Sequence, residues 1–107
     1  MKRRVVVTEN AKADLRSYYR HAAQHAPETA TRWLNRFESA LMTLSTNAER
    51  CAVAPENESV DAEIRQMLFG KGRRVYRALF TIEGEEVRVL HIRRATMDTA
   101  PPDELDG

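Results

Sequence analysis

The sequence predicts an α+β fold: an N-terminal strand, an antiparallel αα-hairpin, then a three-stranded antiparallel meander forming one sheet. Three observations carry this. Between Ile64 and Arg94, apolar residues recur at period two in three runs separated by glycine-containing turns. Between Glu9 and Leu44 they recur at helical spacing in two stretches. A short β-branched run, Arg3 to Val7, precedes both and reads as an added strand.

Taken in order, Thr8 is a good N-cap for a first helix over Glu9 to His25, with Ala11, Leu15, Tyr18, Tyr19 and Ala22 on one face. Pro27 interrupts the pattern. Glu28 starts a second helix with Ala30, Trp33, Leu34, Phe37, Leu41 and Leu44 on its apolar stripe. Ser45 to Glu63 lacks periodicity, and Ala54 to Ser59 reads as a surface loop. The meander then has strands at Ile64 to Phe69, Arg74 to Ile82 and Glu86 to Arg94. Its turns are Gly70-Lys71-Gly72 and Glu83-Gly84-Glu85. Tyr76, Ala78, Phe80 and Ile82 share one face of the middle strand, and Val75, Arg77, Leu79 and Thr81 the other, which marks it as central. In the last strand Val87, Val89 and His91 alternate against Arg88, Leu90 and Ile92.

At 107 residues and 42% hydrophobic, the chain fits one domain. Residues 1–98 form that domain, and 99–107 an acidic C-terminal tail. No apolar run approaches the roughly 18 residues of a membrane span, and the start, MKRRVVVTENAKADL, has no secretory apolar segment. The expectation is a cytoplasmic protein that binds no membrane. One cysteine, Cys51, and three scattered histidines, His21, His25 and His91, give no zinc pattern, and neither metal nor cofactor is expected.

The net charge of +1 hides an uneven distribution. Residues 64–94 carry eight basic and three acidic side chains, while 51–63 and 95–107 carry four acidic each and no basic ones. The arginine cluster of the sheet, Arg65, Arg73, Arg74, Arg77, Arg93 and Arg94 with Lys71, suits a polyanionic or acidic partner. The simplest reading of Tyr18, Tyr19, Trp33 and Phe37 is a buried stripe between helices. There is no phosphate-binding loop, nucleophile elbow or forced carboxylate pair. Arginine forks bind phosphate or carboxylate and stabilise developing negative charge. His91 is the only histidine in the sheet able to move a proton near neutral pH.

The order of these motifs resembles the RelE/ParE superfamily of bacterial type II toxins, closer to the ParE side. The match rests on Val5-Val6-Val7-Thr8 with Ala11, Asp14-Leu15, Ala30, Trp33, Leu41 with Leu44, and Ile64-Arg65-Gln66. It rests most on Tyr76-Arg77-Ala78-Leu79-Phe80 and Val89-Leu90-His91-Ile92-Arg93-Arg94. The resemblance implies a toxin neutralised by a cognate antitoxin and reaching operator DNA only through it. ParE-like members are implied to poison DNA gyrase by binding; RelE-like members are implied to cleave messenger RNA on the ribosome. Arg77 sits where a RelE-like central-strand arginine would be, but lysine occurs only at Lys2, Lys12 and Lys71, and Ala95-Thr96-Met97-Asp98 lacks arginine, histidine or tyrosine. These departures favour gyrase. A non-toxic antitoxin-binding module is the remaining alternative. The expected target contacts are Arg65, Arg74, Arg77, Arg93 and Arg94, the antitoxin contacts Tyr19, Trp33 and Phe37. Arg77 and His91 would be catalytic were the chain a nuclease.

Overall fold

The computed structural model describes residues 2–55, 63–72 and 74–95. Strand β1 (Arg4–Val7) leads into helices α1 (Glu9–Ala23) and α2 (Pro27–Met42). Short 3-10 turns at Thr43–Ser45 and Ala48–Arg50 follow, then strands β2 (Arg65–Lys71), β3 (Arg74–Glu83) and β4 (Glu86–Ala95). The last three strands form the antiparallel meander, and β1 joins it parallel to β4, giving the order β1-β4-β3-β2. With β2 and β4 on either side, β3 is central, and Arg77 through Thr81 are all buried.

Thr8 starts α1 and also ties it to the sheet. Its hydroxyl accepts from the Ala11 N–H at 3.3 Å and donates to the Val89 carbonyl at 2.7 Å, while its own N–H reaches that carbonyl at 3.1 Å. Pro27 separates the two helices as expected, but the second starts on it rather than on Glu28: it is the first helical residue, where the missing N–H costs nothing, and Ala26 before it is outside the helical region. Ala11, Leu15, Phe37 and Leu41 pack on Met67, Ala78, Phe80, Val87, Val89 and Ile92, so both helices cover one face of the sheet. Complete burial of a side chain the size of Phe37 or Phe80 stabilises the fold by roughly 1.5–3 kcal/mol.

Three expectations are corrected here. The surface loop expected over Ala54 to Ser59 does not begin at the surface: Ala54 is buried and its N–H donates to the Ile64 carbonyl at 2.8 Å, and Ala48 ahead of it is buried too. Ala54, Ile64 and Leu79, with Leu90 against them, form a small second cluster on the helix-free face. Single buried alanines leave no periodic trace in a sequence. Residues 56–59 of the expected loop, and the tail 99–107, lie outside the described residues. The alternation expected for the last strand also breaks. Leu79 opposes His91 while Phe80 opposes Val89, so Leu90 is an extra residue in β4. This bulge moves the core phase from His91 to Ile92, which is fully buried with Val87 and Val89.

The turn between β2 and β3 is also tighter than Gly70-Lys71-Gly72, since pairing continues to Lys71 opposite Arg74. Gly70 sits within the ladder at φ +110°, where a Cβ would stand 2.0 Å from the Arg74 carbonyl oxygen.

At the other side of the sheet, β1 ends opposite Val89 while β4 continues to Ala95. Helix α1 closes the edge so exposed. Asp14 Oδ2 accepts the Ile92 N–H at 2.9 Å, and the Tyr18 hydroxyl accepts the Arg94 N–H at 3.2 Å. Four residues of helix rise about 6 Å and two residues of strand about 6.8 Å, so the two spacings nearly coincide. Two side chains thereby stand where a further strand would pair.

Candidate functional site

The five arginines expected to contact a target do not converge. Arg65 braces the chain before β2: it donates to the Cys51 carbonyl at 2.6 Å and the Glu49 carbonyl at 3.1 Å, and pairs with Glu63 at 2.8 Å. Arg77 and Arg93 stand opposite one another on β3 and β4, on the helix-free face. Arg74 and Arg94 have the parity of Tyr76 and Ile92 and stand on the helix side. Arg73, also counted in the cluster, lies outside the described residues.

On the helix-free face the cations are held by their own chain. Arg77 is 9% exposed and donates through Nη1 to Gln66 Oε1 at 3.0 Å. Arg93 donates through Nη1 to Asp14 Oδ2 at 3.1 Å and to the Ile92 carbonyl at 3.2 Å. Its Nε is buried with no hydrogen-bond partner among the described residues. His91 Nδ1 lies 3.3 Å from the same Asp14 oxygen. The bulge at Leu90 is what brings His91 to the side of Arg77 and Arg93. One carboxylate oxygen therefore positions an imidazole, a guanidinium and a backbone amide, an arrangement that fixes positive charge on a sheet surface.

A second feature opens at the end of the helical layer. A cavity of about 330 Å³ lies where α1 ends and α2 begins, against the ends of β3 and β4. Tyr18, Trp33 and Tyr76 line it, with ring centroids 5.0 Å apart for Tyr18–Tyr76 and 5.1 Å for Trp33–Tyr76. Burial raises the Tyr18 phenol above its ordinary pKa, and its hydroxyl accepts from the Arg94 N–H. Arg74 and Arg94 form the sheet-side rim, His21 and His25 the helix-side rim, and all four are exposed. Neither arginine makes an ion pair with another described residue.

Of the expected antitoxin contacts, Trp33 lines this groove. Tyr19 is half-buried between the helices, its hydroxyl 3.4 Å from Thr31 Oγ1. Phe37 is corrected to a core residue: it is fully buried beneath Tyr76 and Phe69 and offers no surface to a partner. Sequence reasoning missed Asp14 and Tyr18 as organisers and Tyr76 as a groove residue. The period-two pattern that separates Tyr76 from Arg77 already separates the two surfaces.

No helix among the described residues is long and apolar enough to cross a membrane. None of these residues forms a group of three or more metal-ligating side chains. A family model for the ParE toxin of the type II toxin-antitoxin system parDE matches residues 5–99. Among solved structures, a chain of the chromosomal ParDE TA system from P. aeruginosa is similar at 24% sequence identity and a TM-score of 0.72. The match covers 88% of this chain and 97% of that one. No curated protein matches the sequence.

Proposed function

The chain belongs to the ParE toxins of type II toxin-antitoxin systems, and on that premise we propose that it inhibits growth by binding DNA gyrase and is neutralised by a cognate antitoxin. The toxin unit is residues 1–98, it acts in the cytoplasm, and it meets operator DNA only through the antitoxin. One observation favours gyrase binding over catalysis: the charged groups of the helix-free face are engaged with their own chain. Arg77 is held by Gln66, and Arg93 and His91 share one oxygen of Asp14. A general acid or base must reach the proton it moves, whereas a binding surface needs only fixed charge and shape. The similar P. aeruginosa structure comes from a ParDE TA system, which supports an antitoxin partner here.

Messenger-RNA cleavage is the second reading. The bulge favours it by setting His91 beside Arg77 and Arg93. Pulse labelling after inducing this chain alone in a bacterial host separates the two. Thymidine incorporation falling before methionine incorporation supports gyrase, and a cleavage assay with purified gyrase follows. The reverse order overturns gyrase in favour of the ribonuclease. No effect on either from a folded chain overturns both and leaves an antitoxin-binding module.

A further inference from the structure

We propose that the groove between the α1–α2 turn and the ends of β3 and β4 seats a nucleotide, its flat heteroaromatic base against Trp33 and Tyr76 and its phosphate on Arg74 and Arg94. Such a seat is separate from the helix-free face and owes nothing to the choice between gyrase and messenger RNA. A free nucleoside 5′-phosphate and the phosphorylated end of a single strand both offer this chemistry.

The floor fits a base. Trp33 and Tyr76 are both half-buried, so each keeps surface toward the cavity. Their planes are inclined at 56°, and those of Tyr18 and Tyr76 at 71°, so the three rings make a corner rather than a flat plate. A planar ring entering that corner meets the face of one aromatic and the edge of another, the two arrangements aromatic pairs prefer. Stacking of this kind serves any base, because each has a π-face. The Tyr18 hydroxyl accepts from the Arg94 N–H and so keeps its own proton for an oxygen of the base or sugar. The volume of about 330 Å³ falls at the lower end of the roughly 300–1,000 Å³ typical of ligand pockets, room for one nucleotide but not for a stacked run.

The rim fits the phosphate. Arg94 pairs in register with Tyr76, and Arg74 lies two residues before Tyr76 on β3, so the two arginines hold diagonal positions on adjacent strands. Such positions lie about 7–8 Å apart, a span that two long side chains close on one anion. Both arginines are exposed, and no described acidic residue lines the groove. Like charges so placed repel one another until a doubly charged phosphate comes between them, and guanidinium forks match its oxygens. An aliphatic side chain would fill the corner and leave the forks alone; inorganic phosphate would meet the forks and leave the corner uncovered. A nucleotide satisfies both.

Trp33 is the chain's single tryptophan, so its emission reports this groove directly. The probes titrated against the full chain are AMP, adenosine and inorganic phosphate. We expect AMP to quench Trp33 and to bind about tenfold more tightly than adenosine for each guanidinium engaged. Added salt narrows the gap, and R74Q/R94Q brings AMP down to the level of adenosine. Arg94 meets Tyr18 through its backbone, so these substitutions leave that bond in place. Should the double variant fail to fold, R74Q alone is expected to weaken AMP about tenfold. Equal affinity for AMP and adenosine, inorganic phosphate competing as strongly as AMP, no quenching up to millimolar nucleotide, or undiminished AMP binding by the folded variants overturns the proposal. So does a peptide alternating Glu with Leu that binds more tightly than AMP, because the groove would then be a seat for acidic chain. A gain of more than tenfold in AMP affinity in the full-chain variant D98N/D103N/E104Q/D106N also overturns it, since the chain's own acidic C-terminus would be the occupant. Where AMP binds as expected, a trinucleotide carrying a 5′-phosphate identifies the source: tighter binding of AMP supports a free nucleotide, and tighter binding of the trinucleotide supports a strand end. All of these readings are taken on the purified chain, so a chain that proves harmless in cells sinks the toxin reading and leaves the titration to decide the groove.

Discussion

Arg77 and Arg93 on the helix-free face, and Arg74 and Arg94 at the groove, are the same residue type on the same two strands, yet they are prepared for different work. The first two are bonded to Gln66 and Asp14. The second two are exposed beside an aromatic cavity and make no ion pair among the described residues. A guanidinium held by its own chain contributes a fixed, oriented positive charge with little entropy left to lose. One left exposed is able to form a bidentate pair with whatever arrives. The position of a residue relative to the helices, not its identity, decides which role it takes.

Substitutions that remove the support on one side sharpen the contrast. The largest effect is expected for Asp14→Ala, which strips the acceptor from Ile92, Arg93 and His91 together and destabilises the fold by about 3 kcal/mol in denaturant unfolding. A variant as stable as wild type would show that Asp14 does not hold the helix-free face together. Next is Arg77→Ala, expected to cost about 1–2 kcal/mol and to abolish toxicity while antitoxin binding, measured by calorimetry, is kept. A fully toxic R77A removes Arg77 from the target surface. Tyr18→Phe takes away one hydroxyl and about 1 kcal/mol, and the Arg94 amide should exchange its hydrogen several-fold faster. Unaltered exchange would mean that α1 does not close that edge.

The smallest effect lies away from both surfaces. Two 2.9 Å hydrogen bonds from Arg3 hold the Glu49 carboxyl below its ordinary pKa. A depressed carboxylate contributes stability that is present above its unfolded-state pKa and lost as pH falls through the folded one. Glu49→Gln should therefore lower stability slightly at neutral pH, leave it unchanged in acid where Glu49 is already protonated, and so flatten the acid limb of the profile. Toxicity and groove binding should be unchanged, which makes this variant the reference for the other three.

Much of this architecture is legible in the residues. Period two identifies the three strands and the central place of β3, and helical spacing identifies the hairpin whose stripe becomes the core. The same alternation puts Tyr76 and Arg77 on opposite faces, although a count of arginines merges them into one basic patch. The bulge at Leu90 is harder to see. Its trace is that Leu90 and Ile92, both apolar, fall on the phase that an unbroken strand would give to the other face. Nothing local announces the bonds from Asp14 and Tyr18 to residues some 76–78 positions away, because those bonds depend on β1 ending before β4 does. Phe37 was ambiguous for a related reason: the spacing that makes a helix residue face its neighbours does not say how deeply it sits.

The seam between α1 and β4 also limits how such a chain is able to change in length. Adding or deleting one residue between Thr8 and Asp14 turns the following helix by about 100° and shifts it by about 1.5 Å. Thr8 fixes the near end of that segment on Val89, and the Ile92 and Arg94 amides fix the far end. Neither acceptor would then meet its amide. Descendants of this sequence that keep the seam are free to exchange side chains along the solvent side of α1, but the number of residues in its first three turns is not free to drift.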